Sequence, residues 1–342
     1  MWNTWRVETT YDRHQVAEFL QTLHLQYDYQ SDVTVEVRQG ERIVATGSLR
    51  GSVLQCFGVA SELQGEGHSN KIVDHLTQVA FERGHTRIFV FTSPENVSIF
   101  RSMGFRVLAS TAWAALLESG FPSIDDYLNS IARHVVSTTG RIGGLVMNCN
   151  PFTLGHQYLA EHAANYCDQV FILVVEEDRS VFPYNVRLDL VRKGVCHLGN
   201  VTVLSSGPYA VSLATFPSYF SAEDISHAKA GASIDATIYA KHIAKTLGVK
   251  TRYVGTEPYS PVTAVYNATM QTVFREYNME ITEIPLLEVD GKAVSASLVR
   301  EALRIDDLGL LAKLVPESTY SFLISESASG IVSALKKTRS RH

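Results

Sequence analysis

The chain has 342 residues, with 30 Lys and Arg against 35 Asp and Glu, and a formal net charge of −5 at neutral pH. At about 150 residues per domain, this length indicates two domains. The acidic balance argues against a general nucleic-acid-binding protein, and the longest apolar run, over 170–175, is too short to cross a membrane. The N-terminus lacks the apolar core of a secretory signal, and the four cysteines lack CxxC spacing. We therefore expect a cytosolic protein with reduced thiols and no structural metal.

The predicted elements before residue 120 mix helices and strands. They are helices over 13–25, 70–83 and 96–103, and strands over 33–37, 43–49, 53–59 and 87–91. The helices are assigned from apolar residues at three- and four-residue spacing, and Gly84 and Gly104 follow two of them as helix stops. This order predicts an α+β domain over 1–118, followed by a helical connector over 119–139.

After Gly140 the pattern becomes a regular alternation of strand and helix. Strands are predicted over 145–149, 170–175, 201–204, 252–254 and 281–284, and helices over 155–166, 185–198, 236–247 and 263–277. Such alternation implies a parallel sheet with right-handed crossovers. We therefore predict a Rossmann-like α/β domain over 140–342.

The segment NPFTLGH (150–156) joins the first predicted strand of this domain to its first helix. A parallel sheet binds ligands at the carboxyl ends of its strands, where a helix N-terminus offers free N–H groups to phosphate. Pro151 restricts the loop backbone, Gly155 lets a phosphate approach closely, and His156 would reach the phosphates. The alternative is a capped helix start with a surface histidine.

NPFTLGH resembles the (H/T)xGH motif of the nucleotidylyltransferase superfamily, with Thr153 at the position of the first histidine. SASLVR (295–300) resembles the ISSTxxR motif that lies near the end of such domains. The resemblance implies that Ser295, Ser297 and Arg300 lie at another helix start and hold the β- and γ-phosphates of a nucleotide. Two motifs in the expected order are far more specific than either one alone.

Residues after the intermediate strands extend this candidate site. Arg179 and Arg187 stand where the superfamily places basic residues after the second strand, and Arg179 would contact phosphate. The alternative for each arginine is a solvated surface charge, and for Arg187 also pairing with a neighbour on its helix. Residues 255–257 would contact adenine or ribose through backbone groups, or form an ordinary turn. The complete candidate ATP site is Asn150, Pro151, Phe152, Thr153, Gly155, His156, Arg179, Gly255, Thr256, Glu257, Ser295, Ser297 and Arg300, with His156 and Arg300 as the catalytic residues.

Attack on the α-phosphate of ATP needs an in-line nucleophile and neutralised charge more than it needs a protein base. His156, Arg300, the helix N–H groups and Mg²⁺ held by the nucleotide would stabilise the departing pyrophosphate. A carboxylate or phosphate nucleophile is already ionised at neutral pH. The motifs therefore do not identify the nucleophile.

In the first domain, QGEGHS (64–69) resembles the pyrophosphate loop of GNAT-type acetyltransferases, with Ser69 in place of the last small residue. NVSIFRSMGF (96–105) resembles a later helix of that family, but Phe100 stands where many members have a tyrosine general acid. Whether this domain only binds a coenzyme A-like group or also transfers an acyl group stays open. The implied binding residues are Gln64, Gly65, Gly67 and Ser69.

A GNAT-like domain ahead of a nucleotidylyltransferase domain resembles the citrate lyase ligase family, as do the stretches 214–220 and 255–267. The resemblance implies that ATP and acetate form acetyl-adenylate. The acetyl group then passes to the thiol of the phosphoribosyl-dephospho-CoA arm on the acyl carrier subunit of citrate lyase. The loop at Gly65 and Gly67 would bind that arm.

Three alternatives come from other classes of protein. A plain adenylyltransferase would use a phosphate ester such as phosphopantetheine or nicotinamide mononucleotide. A free-standing acetyltransferase would need acetyl-CoA and no ATP. A non-catalytic binding module would catalyse neither adenylyl transfer nor acetyl transfer. Asp235, Tyr239 and Lys241 are interpreted as the face of an amphipathic helix, and the alternative is that they line the site of the second domain. The basic segment 333–342 is interpreted as a frayed terminus.

Overall fold

The computed structural model describes residues 2–7, 9–136, 139–216, 225–256 and 261–337. The chain divides into two compact units, Met1–Asp126 and Tyr127–His342. The division falls inside helix α4 (Ile124–Ala132), within the segment predicted as a connector. None of the described helices is both long enough and apolar enough to span a membrane.

The first unit is built on a mixed seven-stranded sheet. Its elements are β1 (Trp2–Arg6), α1 (Thr10–Thr22), β2 (Val33–Gln39), β3 (Arg42–Arg50), β4 (Val53–Val59), α2 (His68–Glu82), β5 (Arg87–Thr92), α3 (Val97–Ser102), β6 (Arg106–Ser110) and β7 (Ala115–Gly120). The strand order is β1-β2-β3-β4-β5-β7-β6. Strands β4 and β5 are parallel and pair only at Val53 and Leu54, so β4 leaves its neighbour before it reaches the loop that leads into α2.

Helix α2 shows why the elements of this unit form. Its residues Ile72, Val73, Leu76 and Ala80 follow helical spacing and are buried in the core against strands β2–β4. The predicted helix is confirmed, although it begins two residues earlier, at His68. Strands β1, β6 and β7 were not predicted.

The second unit contains five parallel strands and the helices that connect them. Its elements are β8 (Ile142–Met147), α5 (Leu154–Tyr166), β9 (Gln169–Val174), α6 (Tyr184–Gly194), β10 (Val201–Ser205), α7 (Ile225–Ile238), a π-helix (Tyr239–Ala244), α8 (Lys245–Leu247), β11 (Thr251–Gly255), α9 (Pro261–Glu276), β12 (Glu280–Ile284), a hairpin of β13 (Glu288–Val289) and β14 (Lys292–Ala293), α10 (Ala296–Arg304), α11 (Leu308–Leu314), α12 (Glu317–Leu323) and α13 (Ser329–Lys337). The strand order is β10-β9-β8-β11-β12. This confirms the predicted fold class, an α+β unit followed by a Rossmann-like parallel-sheet unit.

Several predicted bounds in the second unit were wrong. Strand β8 begins at Ile142 and ends before Cys149, which has a positive φ of 54° and therefore cannot continue a strand. The helix predicted from 236 begins at Ile225 and continues through the π-helix. Helix α6 ends at Gly194, four residues before the predicted end.

Only the helix start at the second motif, where α10 begins, was predicted among the C-terminal helices α10–α13. They enclose a second core with Phe182 and Val294, and so place the start of α10 against the rest of the unit. The segment over 333–337 belongs to α13, where Leu335 is buried and Lys336 pairs with Asp306 at 2.6 Å. The interpretation as a frayed terminus was therefore wrong for these residues, and 338–342 lie outside the described residues.

Candidate functional site

The loop between β8 and α5, over 148–153, lies at the carboxyl edge of the parallel sheet. The peptide bond between Asn150 and Pro151 is cis, and the Asn150 side-chain oxygen accepts a hydrogen bond from the Phe182 amide at 3.0 Å. Phe152 is fully buried and stacks on the His156 ring, with centroids 5.7 Å apart. The first motif is therefore fixed to the protein interior from both of its ends.

Thr153 and His156 form a reciprocal cap at the start of α5. The Thr153 hydroxyl accepts from the His156 amide at 3.3 Å, and the Thr153 amide donates to Nδ1 of the His156 ring at 3.1 Å. A backbone N–H can only donate, so Nδ1 is the unprotonated nitrogen and Nε2 carries the proton. Burial lowers the pKa of His156 to about 4. At neutral pH the side chain is therefore a neutral donor through Nε2.

The two sequence motifs meet in the structure through Arg300. This side chain is buried, and it donates from Nη1 to the Asn150 carbonyl at 2.5 Å and from Nη2 to the Ser297 hydroxyl at 3.1 Å. Ser295 caps α10 by accepting from the Leu298 amide at 3.2 Å. Residues that are 150 positions apart in sequence thus form one continuous edge of the site.

Gly155 serves this junction in a way that the sequence did not indicate. A Cβ atom at Gly155 would lie 2.8 Å from the Val294 carbonyl oxygen, which directly precedes the second motif. The missing side chain therefore permits the two backbones to approach. The sequence interpretation assigned that space to an approaching phosphate.

Replacing Gly155 with Ala should destabilise the second unit by about 1–3 kcal/mol, because a backbone carbonyl cannot give way as a flexible side chain does. We expect the KM for nucleotide to rise as well, since the two motifs would separate. Urea denaturation and steady-state kinetics measure both effects. Gly199→Ala is the matched control, because a Cβ at Gly199 has open space around it. Equal stability of the two variants would contradict this role for Gly155.

Arg187 is the site residue whose role the sequence analysis missed. It is fully buried on α6, and its guanidinium donates to carbonyl oxygens of four residues and to one amide oxygen. The acceptors are the carbonyls of Phe182 (2.9 Å), Asn148 (2.9 Å), Val175 (2.6 Å) and Glu177 (2.9 Å), and Oδ1 of Asn148 (3.0 Å). Both alternatives for Arg187, a solvated surface charge and pairing with a helix neighbour, are therefore wrong. Arg187 instead joins the loops that follow β8 and β9, and burial lowers its pKa.

The other predicted ATP-site residues are less enclosed. Arg179 is exposed, and its Nε lies 3.8 Å from a Glu177 carboxylate oxygen. Gly255 ends β11, and the Thr256 amide donates to the Ile284 carbonyl at 3.0 Å. Glu257 lies outside the described residues. Groups of three or more His, Cys, Asp or Glu that could hold a metal ion are absent from the described ranges.

The glycine-bearing loop of the first unit is placed directly before α2. Gly65 and Gly67 have φ of +89° and +81°, in the left-handed region, and space around both Cβ positions is open. Gln64 precedes them and is exposed, and Ser69 lies in the first turn of α2. Phe100 is buried and packs edge-on against Phe57 and Phe105, so it is a core residue.

The second unit is thus a Rossmann-like α/β unit with two hydrogen-bonded motifs at its ligand-binding edge. A family model described as the citrate lyase ligase C-terminal domain matches residues 142–323. The [citrate [pro-3S]-lyase] ligase of Escherichia coli K12 is 36% identical over 317 residues, covering 90% of this chain and 89% of that protein. That of Klebsiella pneumoniae is 35% identical and covers 91% of this chain and 92% of its own. The chain belongs to the citrate lyase ligase family.

Solved structures with a similar fold are more distant. Thermotoga maritima TmcAL, solved with alpha-thio ATP, is 14% identical with a TM-score of 0.40, covering 56% of this chain and 57% of its own. An acetyltransferase of the GNAT family from Staphylococcus aureus Mu50 is 12% identical with a TM-score of 0.31, covering 35% of this chain and 99% of its own.

Proposed function

We propose that this protein is an ATP-dependent acid–thiol ligase that activates citrate lyase. Acetate attacks the α-phosphate of ATP and gives acetyl-adenylate and pyrophosphate. The thiol of the phosphoribosyl-dephospho-CoA arm on the lyase acyl carrier subunit then attacks the acetyl carbon, loses its proton and releases AMP. The observation that carries the proposal is the Arg300–Asn150 hydrogen bond, which joins the two nucleotide motifs in a member of this family.

The residues of the second unit support the first step. The α5 N-terminus offers positive dipole and N–H groups to the phosphates. His156 donates from neutral Nε2 toward the charge that develops on the departing pyrophosphate. Ser295 and Ser297 are exposed residues at the start of α10, and in this proposal their hydroxyls contact the β- and γ-phosphates. Mg²⁺ is held by the nucleotide phosphates and supplies further charge neutralisation there.

The acid substrate needs no general base, since acetate is ionised at neutral pH. Binding and alignment therefore account for most of the rate enhancement. A plain adenylyltransferase that acts on a phosphate ester would share His156 and Arg300, but family membership favours the acid ligase.

The overall reaction is tested by incubating the purified chain with ATP, Mg²⁺, ¹⁴C-acetate and the deacetylated acyl carrier subunit. The proposal predicts one AMP and one pyrophosphate for each label transferred to the carrier thiol. Label that stays in solution while ATP is consumed, or consumption of ATP with phosphopantetheine in place of acetate, would contradict it.

We propose that the first unit binds the prosthetic arm at Gln64, Gly65, Gly67 and Ser69. Gly67→Asp places a carboxylate where the arm's pyrophosphate is bound, so the rate of thiol acetylation should fall by about 10-fold or more, because like charges repel at close range. Acetate-dependent ATP–pyrophosphate exchange should be unchanged, since that step does not use the arm.

Gly40→Asp is the matched control for this variant. Gly40 lies in the β2–β3 turn of the same unit, has a φ of +62° and has open space around its Cβ position. Gly40→Asp therefore strains a positive-φ backbone position to a similar degree and introduces the same negative charge, but away from the loop at Gly65 and Gly67. Equal loss of both activities in Gly67→Asp, or equal loss of thiol acetylation in both variants, would contradict arm binding at this loop.

A further inference from the structure

Asn148 directly follows strand β8, at the point where the sheet continues into the first motif. Arg187 donates from Nη1 to Oδ1 of the Asn148 side chain at 3.0 Å. Because a guanidinium can only donate, the amide atom that faces Arg187 is the oxygen, and Nδ2 occupies the other branch of the amide. The buried arginine therefore fixes which way the Asn148 amide is turned.

The Nδ2 atom of Asn148 carries two hydrogens, and the described residues accept only one of them. Ser180, in the segment that follows β9, accepts from Nδ2 at 3.1 Å, and its hydroxyl oxygen also lies 3.2 Å from Oδ1. Asn148 and Ser180 are both half-buried at the carboxyl edge of the sheet, so a ligand bound at that edge can reach the second N–H. The amide thus presents a fixed, uncharged hydrogen-bond donor to the site.

The positive charge of Arg187 lies directly behind this donor. Arg187 is fully buried and donates to carbonyl and amide oxygens. None of these acceptors is a carboxylate, so no direct contact with them neutralises the guanidinium charge. In a low-dielectric interior, such a cation polarises the amide that it contacts and lowers the energy of a negative charge on the other side of that amide. The Asn148 donor is therefore suited to an oxygen atom on which negative charge develops.

The two ends of the β8–α5 loop face different parts of the reaction. His156 stands at the α5 end, and Arg300 contacts the Asn150 carbonyl in the middle of the loop. Under the proposed function, both side chains act on the departing pyrophosphate. In an in-line displacement, the attacking acid and the leaving pyrophosphate lie on opposite sides of the α-phosphorus. The acyl group of the adenylate is therefore placed toward the β8 end of the loop, where Asn148 lies.

We propose that Asn148 is a catalytic residue of the thiol-acetylation step, in which its Nδ2–H donates to the acetyl carbonyl oxygen of the adenylate. This inference rests on the proposed function. The carrier thiol forms a C–S bond to the acetyl carbon and loses its proton to solvent, while the C=O electron pair moves onto the oxygen. When that pair returns, the bond to the phosphate oxygen breaks and AMP leaves with its electrons. Asn148 stabilises the oxyanion between these two events, and Arg187 fixes the direction of the donor.

The test supplies acetyl-adenylate and the deacetylated acyl carrier subunit to the full chain, and so bypasses adenylation. Asn148→Ala should lower the kcat of acetyl transfer by about 10²–10³-fold, the usual effect of removing one oxyanion donor, with the KM for the carrier unchanged. Acetate-dependent ATP–pyrophosphate exchange should fall by about 10-fold or less, because that step loses only one ordinary hydrogen bond to the acid. The variant should fold, since Arg187 keeps the carbonyls of residue 148 and Val175 as acceptors.

Asn148→Asp separates a catalytic role from a structural one. A carboxylate keeps an acceptor for Arg187 and for the Ser180 hydroxyl, so a merely structural residue would tolerate this change. The proposal instead predicts a kcat of acetyl transfer below that of Asn148→Ala, because the carboxylate lacks the N–H and repels the oxyanion. Asn185→Asp is the matched control, with a kcat close to that of the wild type. Asn185 is exposed on α6 and its Oδ1 accepts from the Val186 amide at 2.9 Å, so the variant adds the same charge to the same unit.

Three results would overturn the inference and leave Asn148 a structural residue. They are an unchanged kcat of acetyl transfer in Asn148→Ala, equal losses of acetyl transfer and exchange in that variant, and wild-type transfer by Asn148→Asp. Should Asn148→Ala fail to fold, Asn148→Asp carries the test, because it keeps every acceptor that Arg187 uses. If the wild type itself transfers no acetyl group from acetyl-adenylate to the carrier, the proposed function fails, and this inference fails with it.

Discussion

Replacing His156 with Ala should lower the rate of acetate-dependent ATP–pyrophosphate exchange by about 10²–10³-fold, the usual effect of removing one preorganised donor from a site of developing negative charge. The reason is the fixed geometry of the ring: the Thr153 amide donates to Nδ1 and leaves the Nε2 proton for the substrate. The exchange rate should also lack an inflection near the ordinary histidine pKa of about 6.5 from this residue, because burial lowers the pKa of His156 to about 4.

His162→Ala is the matched control for the His156 variant. His162 lies on the same helix, and its ring packs against Tyr166 and Tyr253 rather than at the helix start. The exchange rate of the His162→Ala variant should remain close to that of the wild type. Comparable losses in both variants would show that the helix, rather than the His156 donor, is responsible.

Replacing Arg187 with Met should reduce the free energy of unfolding of the second unit by about 3 kcal/mol or more, because several buried carbonyl oxygens would lose their donors. Arg187→Lys should give an intermediate loss, since an ammonium keeps the charge but not the planar set of five donors. Urea denaturation followed by far-ultraviolet circular dichroism measures the effect. Tryptophan fluorescence reports the first unit, because all three tryptophans of the chain, Trp2, Trp5 and Trp113, belong to it. The urea transition seen by fluorescence should shift less than the one seen by circular dichroism.

Arg192→Met is the control, because Arg192 lies on the same helix and is exposed. This variant makes the same change of charge and volume as Arg187→Met. We expect its free energy of unfolding to lie within about 0.5 kcal/mol of that of the wild type. Similar small effects of Arg187→Met and Arg192→Met would contradict the structural role of the buried guanidinium.

The parallel sheet could be predicted from the sequence because its strands are short apolar runs between amphipathic helices. Strand β9 is buried along its whole length, and such strands give a clear signal. The first motif could also be located, because residue types that cap a helix and bind phosphate follow one another locally. The helices α11 and α12 are seven residues each, too short for a periodic pattern to identify them.

The contacts that complete the candidate site could not be predicted, because they join residues distant in sequence. Arg300 reaches Asn150, and a Cβ at Gly155 would meet Val294. An arginine in a helix is ordinarily a surface residue, so nothing in the local pattern around Arg187 distinguishes it from Arg192. Only the fold shows which of the two is buried.

ATP–pyrophosphate exchange by the purified chain with Mg²⁺ separates an acid ligase from a plain adenylyltransferase when it is measured with acetate, with phosphopantetheine and with nicotinamide mononucleotide. We expect exchange with acetate, none without an added acid, and none with either phosphate ester. Exchange that requires a phosphate ester and ignores acetate would contradict this expectation and would assign the second unit to the plain adenylyltransferases.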